Sequence, residues 1–184
     1  MSRPSRSIEG LTLVEVALLL SLLGVMLAVG VPAFVRGMRP SKTAEASEEL
    51  RRMYAAVAAY YSTPQPTAAG ERQRCLPDSA GPAPALPSPK PIPVQFGAAE
   101  TPGSASWRGL GYEPRGPIRY RYTLLVTQPG CAAQAQGGRG PEVRLRAEGD
   151  LDADTTLSRF ELAASARDGE LVLDPLLSVR DRVE

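Results

Sequence analysis

Histidine is missing from all 184 residues of this chain. Without it there is no imidazole for a nucleophile–base triad, for the common zinc sites or for the usual general base. No other grouping of residues supplies an active site, so an enzyme is not expected. An excess of charge is also lacking: 21 basic residues stand against 20 acidic ones, a formal charge of +1. A strong nucleic-acid footprint needs a basic surplus, so no nucleic-acid partner is expected. Cysteine is scarce, with only Cys75 and Cys131. They lie far apart and form no CxxC pair, which leaves no thiol-based metal or redox motif. The length allows one membrane helix and one modest soluble domain.

What the chain does have is a long apolar run. Residues 11–35, LTLVEVALLLSLLGVMLAVGVPAFV, are almost entirely apolar. As a helix at about 1.5 Å per residue they would reach about 37 Å, enough for a bilayer core of about 30 Å. One residue breaks the run. Glu15 puts a carboxylate inside it, at a cost of about 2.5 to 3.5 kcal/mol on insertion scales, so a partner or a task is expected for it. Before the run stand Arg3, Arg6 and the pair Glu9-Gly10. A cut after Gly10 would leave Leu11 as a new amino terminus, with its amine within a turn or so of Glu15 or of the Glu15 of a neighbouring copy.

These residues resemble the leader of type IV pilins and the related pseudopilins: a glycine before the scissile bond, an apolar stretch after it, and glutamate as the fifth residue of the mature chain. Gly24 and Pro32 fall where that family commonly has glycine and proline. Leu11 departs from the pattern, since the family most often has phenylalanine there, which touches methylation more than cleavage. The resemblance implies an α+β fold, with a long hydrophobic spine helix on a small antiparallel sheet. It also implies cleavage by prepilin peptidase between Gly10 and Leu11, N-methylation of Leu11, and an assembly role for Glu15.

The implied partners are other pilins meeting helix to helix, the peptidase and the inner-membrane assembly platform. Two other readings of the run stay open: an uncleaved signal anchor, or a secretory signal cut near Ala28 to Ala33, whose apolar region would be unusually long. The leader arginines hold the amino end in the cytoplasm, which sends the domain to the periplasm before assembly and to a surface or periplasmic filament after it. In that oxidising compartment Cys75 and Cys131 are most simply a disulfide, worth about 4 kcal/mol in the chain-entropy model; the alternative is two free thiols.

Five segments follow. Residues 1–10 are leader, 11–35 the membrane and assembly half of the helix, and 36–62 its amphipathic half. In the last of these, Ser41 is an N-cap candidate, and Ala46, Leu50, Met53, Val57 and Tyr60 make one apolar stripe. Residues 63–106 carry ten of the eighteen prolines. That composition favours extended backbone in a variable loop over helix or central strand. Residues 107–184 should form the sheet, beginning with a turn-rich stretch anchored by Trp107, Leu110 and Tyr112. Period-two alternation marks strands at 118–127 and 142–148, and further strands are expected in LSRFELAA and GELVLD, around a turn at 167–169.

Within the last segment, residues 150–161 place acids at Asp150, Asp152, Asp154 and Glu161. This is the ligand spacing of a twelve-residue calcium loop. It departs at Thr155, where such loops need glycine for a turn with positive φ. Related pilin-like chains resemble it with GDLDGDG where this one has GDLDADT. Calcium is one reading and a solvated acidic turn joining two strands is the other. For the whole chain, the resemblance implies a structural subunit of a pilus-like filament, with a minor pilin favoured. A secretion-system pseudopilin, or an anchored calcium-binding or adhesive module that never polymerises, are the alternatives.

Overall fold

The computed structural model describes residues 12–67, 70–131, 140–167, 169–174 and 178–180, with the side chains of 32–42 left aside. Residues 1–11, with the expected leader, Gly10 and Leu11, lie outside the described residues. The chain is α+β and divides into two units, residues 1–43 and 44–184. Helix α1 (Leu13–Ser62) contributes to both. Its leucines, alanines and glutamates are strong helix formers. Ser41 lies inside α1, so it is not an N-cap, and the two halves form one helix that runs on through Pro40.

In the first unit, Leu13–Val31 is a helical span with mean hydropathy 2.5. By length and composition it can cross a membrane, and a signal sequence near an amino terminus has the same character. Its leucines, valines and methionine are all exposed. In water such a surface would be costly, since each leucine-sized side chain gains about 1.5–3 kcal/mol on burial.

In the second unit, α1 turns Ala46, Leu50, Met53, Val57 and Tyr61 into the core. Tyr61, not Tyr60, completes the stripe. Tyr60 is half-buried beside Gly109. The helix stops at Ser62, where Ser62 and Thr63 both give their hydroxyls to the carbonyl of Ala59 at 2.9 Å and Pro64 cannot continue the ladder.

A six-stranded antiparallel sheet faces that stripe. Its strands are β3 (Ala80–Ala83), β4 (Arg121–Val126), β5 (Glu142–Gly149), β6 (Ser158–Arg167), β7 (Glu170–Leu173) and β8 (Ser178–Arg180). They run in the order β3-β4-β5-β6-β7, with β8 pairing the amino-terminal half of β6 beside β7. A separate two-residue ladder joins β1 (Gln65–Pro66) to β2 (Arg72–Gln73). Side chains alternate across the sheet. Tyr122, Leu124, Val143, Leu145, Ala147, Phe160, Leu162 and Ala164 point inward and are buried.

Two local expectations are corrected. The stretch around Trp107 is a short helix, α2 (Ser104–Leu110), held between Gly103 (φ 72°) and Gly111 (φ 60°), both left-handed. It drives Trp107 into an aromatic cluster with Phe96 and Tyr112, while Leu110 stays half-buried. The proline-rich segment also contributes a strand. β3 includes Pro82 and lies on the sheet edge, with a register irregularity between Ala80 and Ala83, and both settings tolerate a missing backbone donor. Cys75 and Cys131 are joined as a disulfide, so the free-thiol alternative falls away. Beside it Leu76 and Gly130 exchange both backbone hydrogen bonds, at 3.1 and 2.9 Å.

Candidate functional site

Glu15 lies in the first turn of α1 and is exposed. Its carboxylate Oε2 accepts from the backbone N–H and from the hydroxyl of Thr12, each at 2.8 Å. Glu15 N–H lies 3.4 Å from Thr12 Oγ1, which closes the exchange. This is a capping box, in which two of the four orphan amide donors of a helix start are satisfied reciprocally. Its signal, Thr12-Leu-Val-Glu15, stands in the sequence but is hidden by the apolar run around it. Among the described residues no cation pairs with Glu15.

The β5–β6 loop brings Asp150, Asp152 and Asp154 together, with carboxylate oxygens all within 4.8 Å of one another. Those oxygens also close the loop. Asp150 accepts from the N–H of Asp154 at 3.1 Å and of Thr155 at 3.2 Å, and Asp154 accepts from Thr156 N–H at 2.7 Å. Ala153 and Thr155 hold positive φ, 64° and 75°, the two positions where glycine would fit without strain.

Glu161 is not part of this cluster. It sits in β6 opposite Arg146 of β5 and pairs with that guanidinium at 3.0 Å. Three of the four expected oxygen donors are therefore assembled, and the fourth belongs to the sheet. A hard cation could use the three carboxylates. The twelve-residue loop that would add Glu161 as a bidentate ligand is not formed.

Two further clusters are built from contacts the sequence did not mark. On the outer face of the sheet, Glu148 of β5 lies between Arg121 of β4 and Arg159 of β6, at 2.8 and 2.7 Å. Its side chain is only 6% exposed. Burial pushes this carboxyl up, but the two guanidiniums outweigh burial and hold it below the ordinary carboxylate range. Alternation does show which residues share that face, but register, which the sequence does not print, decides who meets whom.

On the other side of the sheet, Glu49 of α1 accepts from Tyr112 at 2.6 Å and from Arg52 at 2.7 Å. Burial, reinforced by the Glu49 carboxylate, pushes the Tyr112 hydroxyl well above the usual tyrosine range. Glu113 then takes the N–H groups of Phe96 and Gly97, at 2.9 and 2.8 Å. Arg119 closes the same face onto Glu45, with Arg119 N–H at 2.7 Å and its guanidinium at 3.0 Å. These contacts clamp the amphipathic part of α1 to the chain that precedes β4. They are structural, since the three carboxylates are engaged by groups of the same domain, although Arg119 Nε is buried without a partner among the described residues.

No family model matches this chain, and neither does any curated protein or solved structure.

Proposed function

We propose that this chain is a structural subunit of a type IV pilus-like filament, of the minor pilin kind. It is cut after Gly10 by prepilin peptidase, methylated on Leu11, and held in the inner membrane with its domain in the periplasm until assembly. The observation that carries the reading is the exposed apolar helix Leu13–Val31, which opens on a single acid, Glu15. A surface of that kind needs lipid or other helices around it. In a filament the same face would pass from lipid to the helices of neighbouring pilins. The amine of Leu11 in an incoming subunit would pair with Glu15 of its neighbour, which turns a costly membrane carboxylate into a preference for one axial register.

The α+β architecture supports this reading, with the amphipathic part of α1 covered by an antiparallel sheet. The Asp150, Asp152 and Asp154 cluster favours a second reading, an anchored cation-binding or adhesive module that never polymerises. Intact mass of the protein recovered from membranes and from sheared surface material separates the two. A species beginning at Leu11 with one added methyl, present in the sheared fraction, is expected for a filament subunit. A full-length species confined to membranes would sink the filament reading.

A further inference from the structure

The outer face of the sheet carries its charges in rows. Strand register places Arg121, Glu148, Arg159 and Arg180 side by side across β4, β5, β6 and β8. Three guanidiniums against one carboxylate leave this row with two positive charges in excess. The next row, Thr123, Arg146, Glu161 and Ser178, is balanced. Arg180 faces another arginine across the ladder, and no carboxylate among the described residues pairs with it. β8 is oriented by Val179, which packs on the core and leaves Arg180 on the outer side.

The row lies at the end of the sheet from which the β5–β6 loop springs. Only the pair Gly149 and Ser158 separates it from Asp150. The loop carboxylates accept their own backbone amides, and no guanidinium among the described residues reaches them. Among the described residues, a row with two positive charges in excess and an acidic loop thus stand next to each other with no ion pair between them. Such a patch is complementary to itself. A two-fold axis beside it lays each copy's acidic loop on the other's arginine row and makes both contacts at once.

We propose that this end of the outer sheet face is a self-association surface, with the Arg121, Arg159 and Arg180 row of one copy receiving the Asp150, Asp152 and Asp154 loop of a second copy. Arginine suits the task, since its planar fork matches carboxylates and keeps its charge at any physiological pH. The contact is independent of the filament reading, because it uses neither Leu11 nor Glu15.

A charge-swap cycle on the full chain in neutral detergent, followed by sedimentation with a chelator present, tests it. Arg180→Glu and Asp152→Arg should each weaken association about tenfold, and the double variant should recover most of the loss. Raising salt should weaken the wild type, since surface charges are screened beyond about 8 Å at 0.15 M. Both positions are exposed, and unchanged melting would show that the variants fold. A monomeric wild type, single variants that associate normally, or a double variant no better than the singles would overturn the proposal. Glu15→Gln should leave this contact untouched, so its failure and that of the filament reading are separable.

Discussion

Thr12 and Glu15 answer each other across the first turn of α1, with the carboxylate 2.8 Å from both the amide and the hydroxyl of the threonine. Glu15 therefore has a local task before any partner arrives. It caps the helix, and a capping box accepts glutamine in place of glutamate. The same contacts orient the carboxylate toward the amino end, where the amine of a processed chain would lie.

That distinction yields the first prediction. Glu15→Gln retains the box and loses the charge, whereas Glu15→Ala loses both. In the filament reading both variants are processed normally and both are missing from sheared filaments, because the charge is what the neighbour's amine needs. Recovery of Glu15→Gln at wild-type levels, with Glu15→Ala absent, would show that capping alone explains this residue.

Glu148 supplies a pH dependence. Its carboxyl is held low in the folded domain by Arg121 and Arg159, against the upward push of burial. A lowered folded pKa stabilises the native state at pH values above the unfolded value of about 4.3, and this contribution is lost as pH falls from there through the folded value. Glu148→Gln should cost about 1–3 kcal/mol at neutral pH, because two guanidiniums lose their shared acceptor. In thermal melts the gap between wild type and variant should be widest at neutral pH and close under acid. A gap that is constant down to strongly acidic pH would remove Glu148 as its source.

Much of the fold was legible because one side of each element is buried. Period-two alternation at 118–127 and 142–148 reports the inward residues of β4 and β5, and the 4-3-4 spacing from Ala46 to Val57 reports the buried side of α1. What was hidden has physical reasons. α2 is too short for a helical repeat and is made by two left-handed glycines flanking it. β3 passes through Pro82, which composition excludes from a central strand but not from an edge. Glu161 has calcium-loop spacing, but it also has the parity of a strand residue, and the sheet claimed it for Arg146. The Thr12 box was legible and was masked by hydrophobicity. Contacts set by register, such as Glu148 with Arg121 and Arg159, need the fold itself.

Gly149 gives a packing test. A Cβ there would meet the ring of Tyr120, with Cε1 2.5 Å away. Tyr120 is fully buried in the core, so its ring has no open space to move into. Gly149→Ala should therefore cost about 1–3 kcal/mol as an overpacked core. The paired variant Gly149→Ala with Tyr120→Leu removes the obstructing ring, so the alanine should then cost little beyond Tyr120→Leu alone. An unchanged melting temperature in the single variant would mean that the sheet end relaxes freely.

The β5–β6 loop offers the opposite sign, a substitution expected to stabilise. Thr155 is β-branched and sits at φ 75°, where its side chain crowds the backbone, and Ala153 shares the left-handed region at φ 64°. A residue without Cβ adopts that region freely, and the left-handed conformation costs others about 1–2 kcal/mol. Glycine also gains entropy in the unfolded chain, which returns roughly 0.5–1 kcal/mol of that benefit. The balance still favours Thr155→Gly, because a branched side chain carries the larger penalty. A rise of about 0.5–1 kcal/mol in unfolding free energy is expected, with a smaller gain for Ala153→Gly, where the cost removed is lower. The hydrogen bond from Thr155 N–H to Asp150 is a backbone contact and survives the change. If instead Thr155→Gly destabilises the domain in chemical denaturation, the threonine must be doing something in the loop beyond filling a turn.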